Sequence, residues 1–288
     1  DFMPCDCHIH MILDGVYYRA AIDHQRVQPD EALIRARLQD YAARGVAFLR
    51  DGGDAWGVCL AAARLAPEYG IDYRTPAFPI YCRGHYGGFI GRGFEDMRQY
   101  RSLVREAKTL GANFIKIMIS RLMDFDHYGV ITGTPLAAET IAEMIRIAHG
   151  EGFAVMAHAN GAETVRAAAE AGVDSIEHGA YLDEAALRAM AAHSTVWVPT
   201  LATIGNLIGC GRYSDAVLEP LLALQQKNLR AFSAMGGAIA PGSDAGAFRV
   251  PHVQGAADER RYLEEALGEE TNALLARGAA EIQRRFRA

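Results

Sequence analysis

The sequence predicts an α/β protein, a (β/α)8 TIM barrel formed as a single domain over residues 1–288. Short apolar runs alternate with helical patterns about eight times, in a length of 288 residues close to the ~250 usual for such a barrel. Half of the residues are hydrophobic and only 22% are charged, enough to bury a large core. The residues suited to metal or proton chemistry stand at the C-terminal ends of the apolar runs, which a barrel gathers at one mouth. An open doubly wound sheet is the structural alternative, but no G-x-G-x-x-G follows an early strand to support a nucleotide crevice.

The elements follow in order from residue 5. Cys5-Asp6-Cys7-His8-Ile9-His10 reads as the first strand, so His8 and His10 share a face with Asp6, while Cys5 and Cys7 point the other way. A loop with Asp14, Gly15 and Tyr17 leads to a helix near Pro29 to Ala43, opened by a proline suited to a first turn and ended by Gly45. The apolar run 46–50 closes on Asp51-Gly52-Gly53, as a buried second strand would. A helix over roughly 56–69 precedes a third strand, 75–82, expected despite its prolines. The glycine-rich stretch 84–93 carries His85 and Tyr86 and reads as a loop. Helices near 95–110 and 135–149 precede the apolar strands 113–119 and 153–158. A short helix, 162–171, precedes strand 173–178, and Asp183 caps a helix running to about Ala192. Strand 195–200, a long helix around 215–235, strand 238–244 and a helical C-terminal part, 258–287, complete the pattern.

The formal charge of -6, with no long run of Lys or Arg, gives no electrostatic footprint for nucleic acid or an acidic membrane surface. No apolar run approaches the length of a membrane span. Five scattered cysteines in a chain of this size read as reduced thiols, hence a reducing compartment. The chain opens at Asp1 with Met3 close behind and no charged-then-apolar leader, so a cytoplasmic location is the default, with a removed leader as the alternative. The expected partner is a small-molecule substrate, and a homo-oligomer is compatible with the sequence.

The expected mouth collects His8 and His10 after strand one, Lys116 in strand four, His158 after five, His178 after six and Asp244 after eight. Taken alone, each has an ordinary structural reading, and Asp244 could be a turn residue or a helix cap. Six such residues at one mouth point to a site. Lys116 is flanked by Ile115 and Ile117 and shares its face with Phe114 and Met118, so its ammonium is expected to be buried, where it would be very costly unpaired. A salt bridge to an acid such as Asp244 would relieve this. So would reaction with carbon dioxide to a carbamate, whose two oxygens could bridge two cations.

These motifs resemble the amidohydrolase superfamily of metal-dependent hydrolases, in particular the branch near imidazolonepropionase and the Xaa-Pro type dipeptidases. They are Asp6-Cys-His-Ile-His10, Leu49-Arg-Asp-Gly-Gly53, Gly84-His85, Phe114-Ile-Lys-Ile-Met118, Ala157-His-Ala-Asn-Gly161, Asp174-Ser-Ile-Glu-His-Gly179 and Gly242-Ser-Asp-Ala-Gly246. The resemblance covers nearly the whole chain. It implies that His8, His10 and Asp244 hold one ion, that His158 and His178 hold a second, and that carboxylated Lys116 bridges them. It also implies that Asp244 is the general base, with a hydroxide between the two ions attacking a carbonyl. Imidazole-rich ligation suits zinc, with manganese, iron or cobalt as alternatives. Many relatives carry a small β-sandwich; here almost nothing precedes Cys5 and only helix follows Asp258, so that second domain is expected to be absent.

Loop residues at the mouth are candidates for holding a substrate: His85, Tyr86, Tyr181 and Arg249, with His252 beside the last. Tyr181 or His85 could polarise the carbonyl, and Arg249 could pair with a carboxylate. Arg121, Asp124 and His127 have no assigned role, and Glu177, alternating away from His178, reads as structural. The expected activity is hydrolysis of a C–N amide bond in a dipeptide or N-acyl amino acid. The alternatives are a lactonase or other ester hydrolase, a deaminase, and a non-catalytic metal-binding barrel. A deaminase fits less well, because Asn160 follows His158-Ala159 and Glu163 lies in the next helix.

Overall fold

Every pairing between strands among the described residues is parallel, and most of the strands of four or five residues are buried on both faces. The computed structural model describes residues 4–287, so the reading of Asp1 and Met3 lies outside them. The strands are β1 (Cys5–Ile9), β2 (Phe48–Asp51), β3 (Asp72–Arg74), β4 (Pro79–Cys82), β5 (Arg92–Phe94), β6 (Ile115–Met118), β7 (Val155–Ala159), β8 (Ser175–His178), β9 (Val196–Val198) and β10 (Ala238–Ile239). The helices between and after them are α1 (Tyr18–Gln25), α2 (Glu31–Ala43), α3 (Val58–Leu65), α4 (Met97–Thr109), α5 (Ala138–Gly150), α6 (Ala162–Glu170), α7 (Glu184–Ala192), α8 (Ala202–Gly205), α9 (Asp215–Ala234), α10 (Gln254–Leu267) and α11 (Thr271–Arg285).

The strands do not form the single eight-stranded sheet expected from the sequence. They divide into a barrel-like seven-stranded sheet, ordered β10-β9-β8-β7-β6-β4-β5, and a separate three-stranded sheet, β1-β2-β3. The expectation of one barrel with no small accessory sheet is therefore corrected. The physical reason is local: β1, β2 and β3 pair with one another, and their apolar faces meet α2 and α3 in a core of their own, around Ile34, Leu38, Leu49, Ala62 and Leu65. The third expected strand, 75–82, is a strand only over β4, an unexpected β3 forms just before it, and β5 forms at the end of the stretch read as a loop.

Isolated backbone bonds, not a ladder, fasten the two sheets. Cys7 N donates to Pro241 O at 2.9 Å, Asp244 N to His8 O at 2.7 Å and His10 N to Ala245 O at 2.8 Å. Arg50 of β2 then reaches into the large sheet, donating to Ser175 Oγ and Glu177 Oε1 of β8, each at 2.9 Å. Helix starts follow their caps: Asp30, Asp96 and Asp183 each accept a backbone N–H of the first turn. At the N-terminal end of the strands, Ile282 and Phe286 at the end of the chain pack against Cys5, Cys7 and Phe114. No helix among the described residues is long and apolar enough to cross a membrane.

Candidate metal centre

Period-two alternation sends the His8 and His10 side chains the same way from β1, and the backbone bonds just described bring the loop after β10 alongside them. One ligand atom each from His8, His10 and Asp244 lies within 4.8 Å of the others, a cluster with metal-ligand geometry. Asp244 Oδ1 is 3.3 Å from His8 Nε2 and 3.5 Å from His10 Nε2. The far side of each imidazole is fastened: His8 Nδ1 lies 2.7 Å from Glu177 Oε2, and His10 Nδ1 lies 3.4 Å from the Gly53 carbonyl. Such partners fix ring orientation and leave Nε2 to face a ligand.

The motif glycines permit this closeness. A Cβ at Gly52 would sit 2.7 Å from His10 Nε2, and one at Gly242 would sit 3.0 Å from His8 Cβ. Asp6 supports the group from below, accepting from Ser243 N at 2.9 Å and Ser243 Oγ at 2.6 Å, next to Asp244. Burial raises the Asp6 carboxyl to about 6 despite these bonds.

On the large sheet, His158 is the penultimate residue of β7 and His178 ends β8, with ring centroids 4.7 Å apart, and His178 is 5.3 Å from His8. His178 is turned by its backbone. Glu177 points inward to His8, so alternation would send His178 outward, but φ of +68° at His178 swings its side chain back to the same side. Thr200 Oγ1, 2.6 Å from His178 Nδ1, holds the ring there. Burial lowers all four imidazoles, His10 and His158 to about 3, so they are neutral and able to ligate. Asp244 is raised by burial to about 7, an effect that Lys116 opposes.

Lys116 is buried in β6 among these groups, and burial lowers its ammonium to about 8 against the pull of Glu177 and Asp244. Glu177 is shared by Arg50 and His8, and Asp244 faces the two histidines of β1 without a hydrogen bond to either.

All six residues line one cavity of about 430 Å³, within the range of small-molecule sites. A model of the amidohydrolase family matches residues 65–259 of this sequence. The chain belongs to the amidohydrolase family. An uncharacterized protein of Mycobacterium tuberculosis (strain H37Rv) is 29% identical over 256 residues, 84% of this chain and 62% of that protein. The chain thus spans about three-fifths of the length of its curated relatives. Among solved structures, a Xaa-Pro dipeptidase with bound methionine superposes with a TM-score of 0.76 at 20% identity, covering 98% of this chain and 74% of the other. A prolidase complexed with N-methylphosphonate-L-proline gives 0.76 at 24% identity, covering 99% and 74%. At these identities the likeness is one of fold.

Of the substrate contacts expected for this amidohydrolase, only Tyr86 is on the cavity wall, its ring 4.8 Å from that of His158. The others sit elsewhere. His85 turns to the Thr134 carbonyl at 3.2 Å, Tyr181 packs edge-on against Tyr128, and Arg249 is exposed. His252 is held between Tyr41 and the Leu13 carbonyl, and Asp124 pairs with His127 in an exposed loop. Sequence reasoning missed Glu177 as the partner of His8. It also missed most of the apolar wall, including Phe89, Phe125, Tyr213 and Phe248. The signal for Glu177 was its place opposite His158 in the register of β7 and β8.

Proposed function

We propose that this amidohydrolase is a metal-dependent hydrolase cleaving the C–N amide bond of a small substrate, a dipeptide or N-acyl amino acid. The observation that carries the reading is a pair of orphaned atoms. His8 Nε2 and His158 Nε2 are buried without a hydrogen-bond partner in a cavity that also contains Lys116 and Asp244. Leaving such an atom unpaired costs about 1–3 kcal/mol, and a divalent ion removes that penalty for a neutral imidazole. The donor set therefore fits metal. In this reading His8, His10 and Asp244 hold one ion, His158 and His178 a second, and Lys116 joins them as its carbamate. Zinc suits the imidazoles best, and manganese, iron or cobalt would also be accepted.

Carbamate formation needs the free amine, and the lowered pKa of Lys116 raises its fraction near neutrality. The lysine nitrogen then bonds to carbon dioxide and gives up a proton. Divalent ions here lower the pKa of water and polarise a carbonyl oxygen. Asp244 acts as general base toward the attacking water and returns the proton to the departing amine. Tyr86, Phe89 and Met118 exclude bulk water from the reacting group. The dipeptidase with bound methionine and the prolidase with bound N-methylphosphonate-L-proline, matched above, support a substrate ending in an amino acid.

The test is metal analysis of protein prepared with and without bicarbonate, followed by a panel of dipeptides, N-acyl amino acids and lactones on wild type and Lys116→Ala. Two divalent ions per chain and cleavage of amides are expected. Turnover of lactones alone would replace the amide reading, and a chain that binds no metal would end it.

A further inference from the structure

We infer that Arg212 is the anchor for a free carboxylate on the substrate, so that the preferred substrate is an N-acyl amino acid or dipeptide with a bulky apolar C-terminal residue. This rests on the amide reading above and narrows it. Arg212 is the only arginine on the cavity wall among the described residues. Its guanidinium lies over the rings of Phe248, 4.8 Å from the centroid, and Tyr213, at 5.2 Å. No acidic side chain is within ion-pair distance of it among the described residues. A guanidinium stacked on aromatic faces keeps its edge, with its forked N–H donors, free for a planar anion.

The topology puts this cation at the right end of the site. Tyr213, in the segment after α8, meets Phe125, in the loop after β6, with ring centroids 4.9 Å apart. Between β6 and β9 stand β7 and β8, which carry His158 and His178, so this aromatic bridge spans the sector of the mouth above those two ligands. Asp244 and the histidines are buried or half-buried, whereas Arg212 is exposed at the mouth. A substrate with its scissile carbonyl at Asp244 and the histidines would extend its other end toward the bridge. The rim there and opposite is apolar: Val16 is 70% exposed, Tyr17 54% and Leu122 38%, and all three line the cavity. Apolar groups of this size left in water at a cavity mouth mark a surface that an apolar ligand covers. An apolar side chain with one carboxylate matches the wall better than a neutral or a doubly charged molecule.

The experiment measures binding of N-methylphosphonyl-phenylalanine and its C-terminal primary amide to the metal-loaded enzyme, as wild type, R212M and R212K. The phosphonyl group takes the metal end in both probes, leaving the C-terminus as the only variable. Wild type is expected to bind the acid about 10- to 100-fold more tightly than the amide. R212M is expected to lose that preference by weakening the acid alone, with R212K in between. Unchanged amide binding in R212M shows that the cavity is intact. Replacing phenylalanine by glycine in the acid probe should weaken binding about tenfold or more. A wild type without acid preference, or an R212M that keeps it, overturns the assignment. Cleavage of N-acetyl-phenylalanine by wild type is followed in parallel. No cleavage alongside Arg212-dependent acid selectivity removes the amide reading and leaves the carboxylate anchor standing, whereas cleavage without selectivity does the reverse.

Discussion

His8 and His10 stand two residues apart on one strand of the small sheet, while His158 and His178 stand on two strands of the large one. The β1 pair is braced on several sides: Arg50 and Glu177 behind His8, the Gly53 carbonyl behind His10, and Asp6 through Ser243 beneath the loop of Asp244. The second pair has Thr200 behind His178 and, among the described residues, forms no metal-ligand cluster with a carboxylate of its own. The difference teaches that a three-donor cluster containing an acid is already assembled in one half. In the two-ion reading the other half depends on carboxylated Lys116 to supply negative charge. The first ion is then bound tightly and the second conditionally.

Breaking the stronger half should have the largest effect. On the proposed mechanism Asp244→Asn would remove both a ligand and the proton acceptor, and kcat is expected to fall about 10²- to 10⁴-fold with the circular dichroism spectrum unchanged. Next comes the residue between the halves. Lys116→Ala should keep one ion and lose the other, measured as metal per chain, and loading of wild type should respond to bicarbonate. Full metal content and turnover in that variant would sink the bridging role. The bracing itself is tested by Glu177→Gln, which keeps the size of the side chain but removes its charge. Chelator competition should show the tighter ion weakened about 10- to 100-fold with the second little changed. Thr200→Val should do the reverse and more mildly; equal effects of the two variants on both ions would erase the distinction drawn here.

The smallest effect concerns pH. Glu259 is buried in α10 and accepts the Ala202 N–H at 2.7 Å, two residues beyond Thr200. Burial raises its carboxyl from 4.5 to about 8. The folded chain therefore holds a proton that the unfolded chain releases above its own lower pKa, so this group's contribution is fully present below pH ~4.5 and declines as pH rises through about 8. Glu259→Gln keeps an acceptor and removes the titration. Thermal melts should show the variant matching wild type near pH 4 and exceeding it by roughly 2–5 °C at pH 9.

Much of this was legible in the sequence because ligands at strand ends follow a rule of period two and a rule of polarity. His8, His10, Lys116, His158, His178 and Asp244 were all found that way, and all six line one cavity. Glu177 was misread for the same reason. Alternation holds only while φ stays in the extended region, and it fails at His178. Most strand positions were legible, but neither the count, ten against about eight expected, nor the pairing was: nothing in the composition of 5–51 distinguishes a strand that closes a barrel from one that pairs with its own neighbours. Arg212 and Phe125 lie in loops, where no period exists to place a side chain, and Arg249 was preferred for its nearness in sequence to Asp244.

His178 and Asp244 share a backbone feature with a further consequence. Both sit at positive φ, +68° and +60°, in the region glycine occupies freely and other residues enter at about 1–2 kcal/mol. In the two-ion reading, thermostability and activity therefore pull in opposite directions at these two positions. A library of variants screened in the absence of metal for survival of heating alone should drift there toward glycine or asparagine, becoming hardier as it becomes inert. Engineers seeking a more durable version should hold both positions fixed and look for gains elsewhere in the fold.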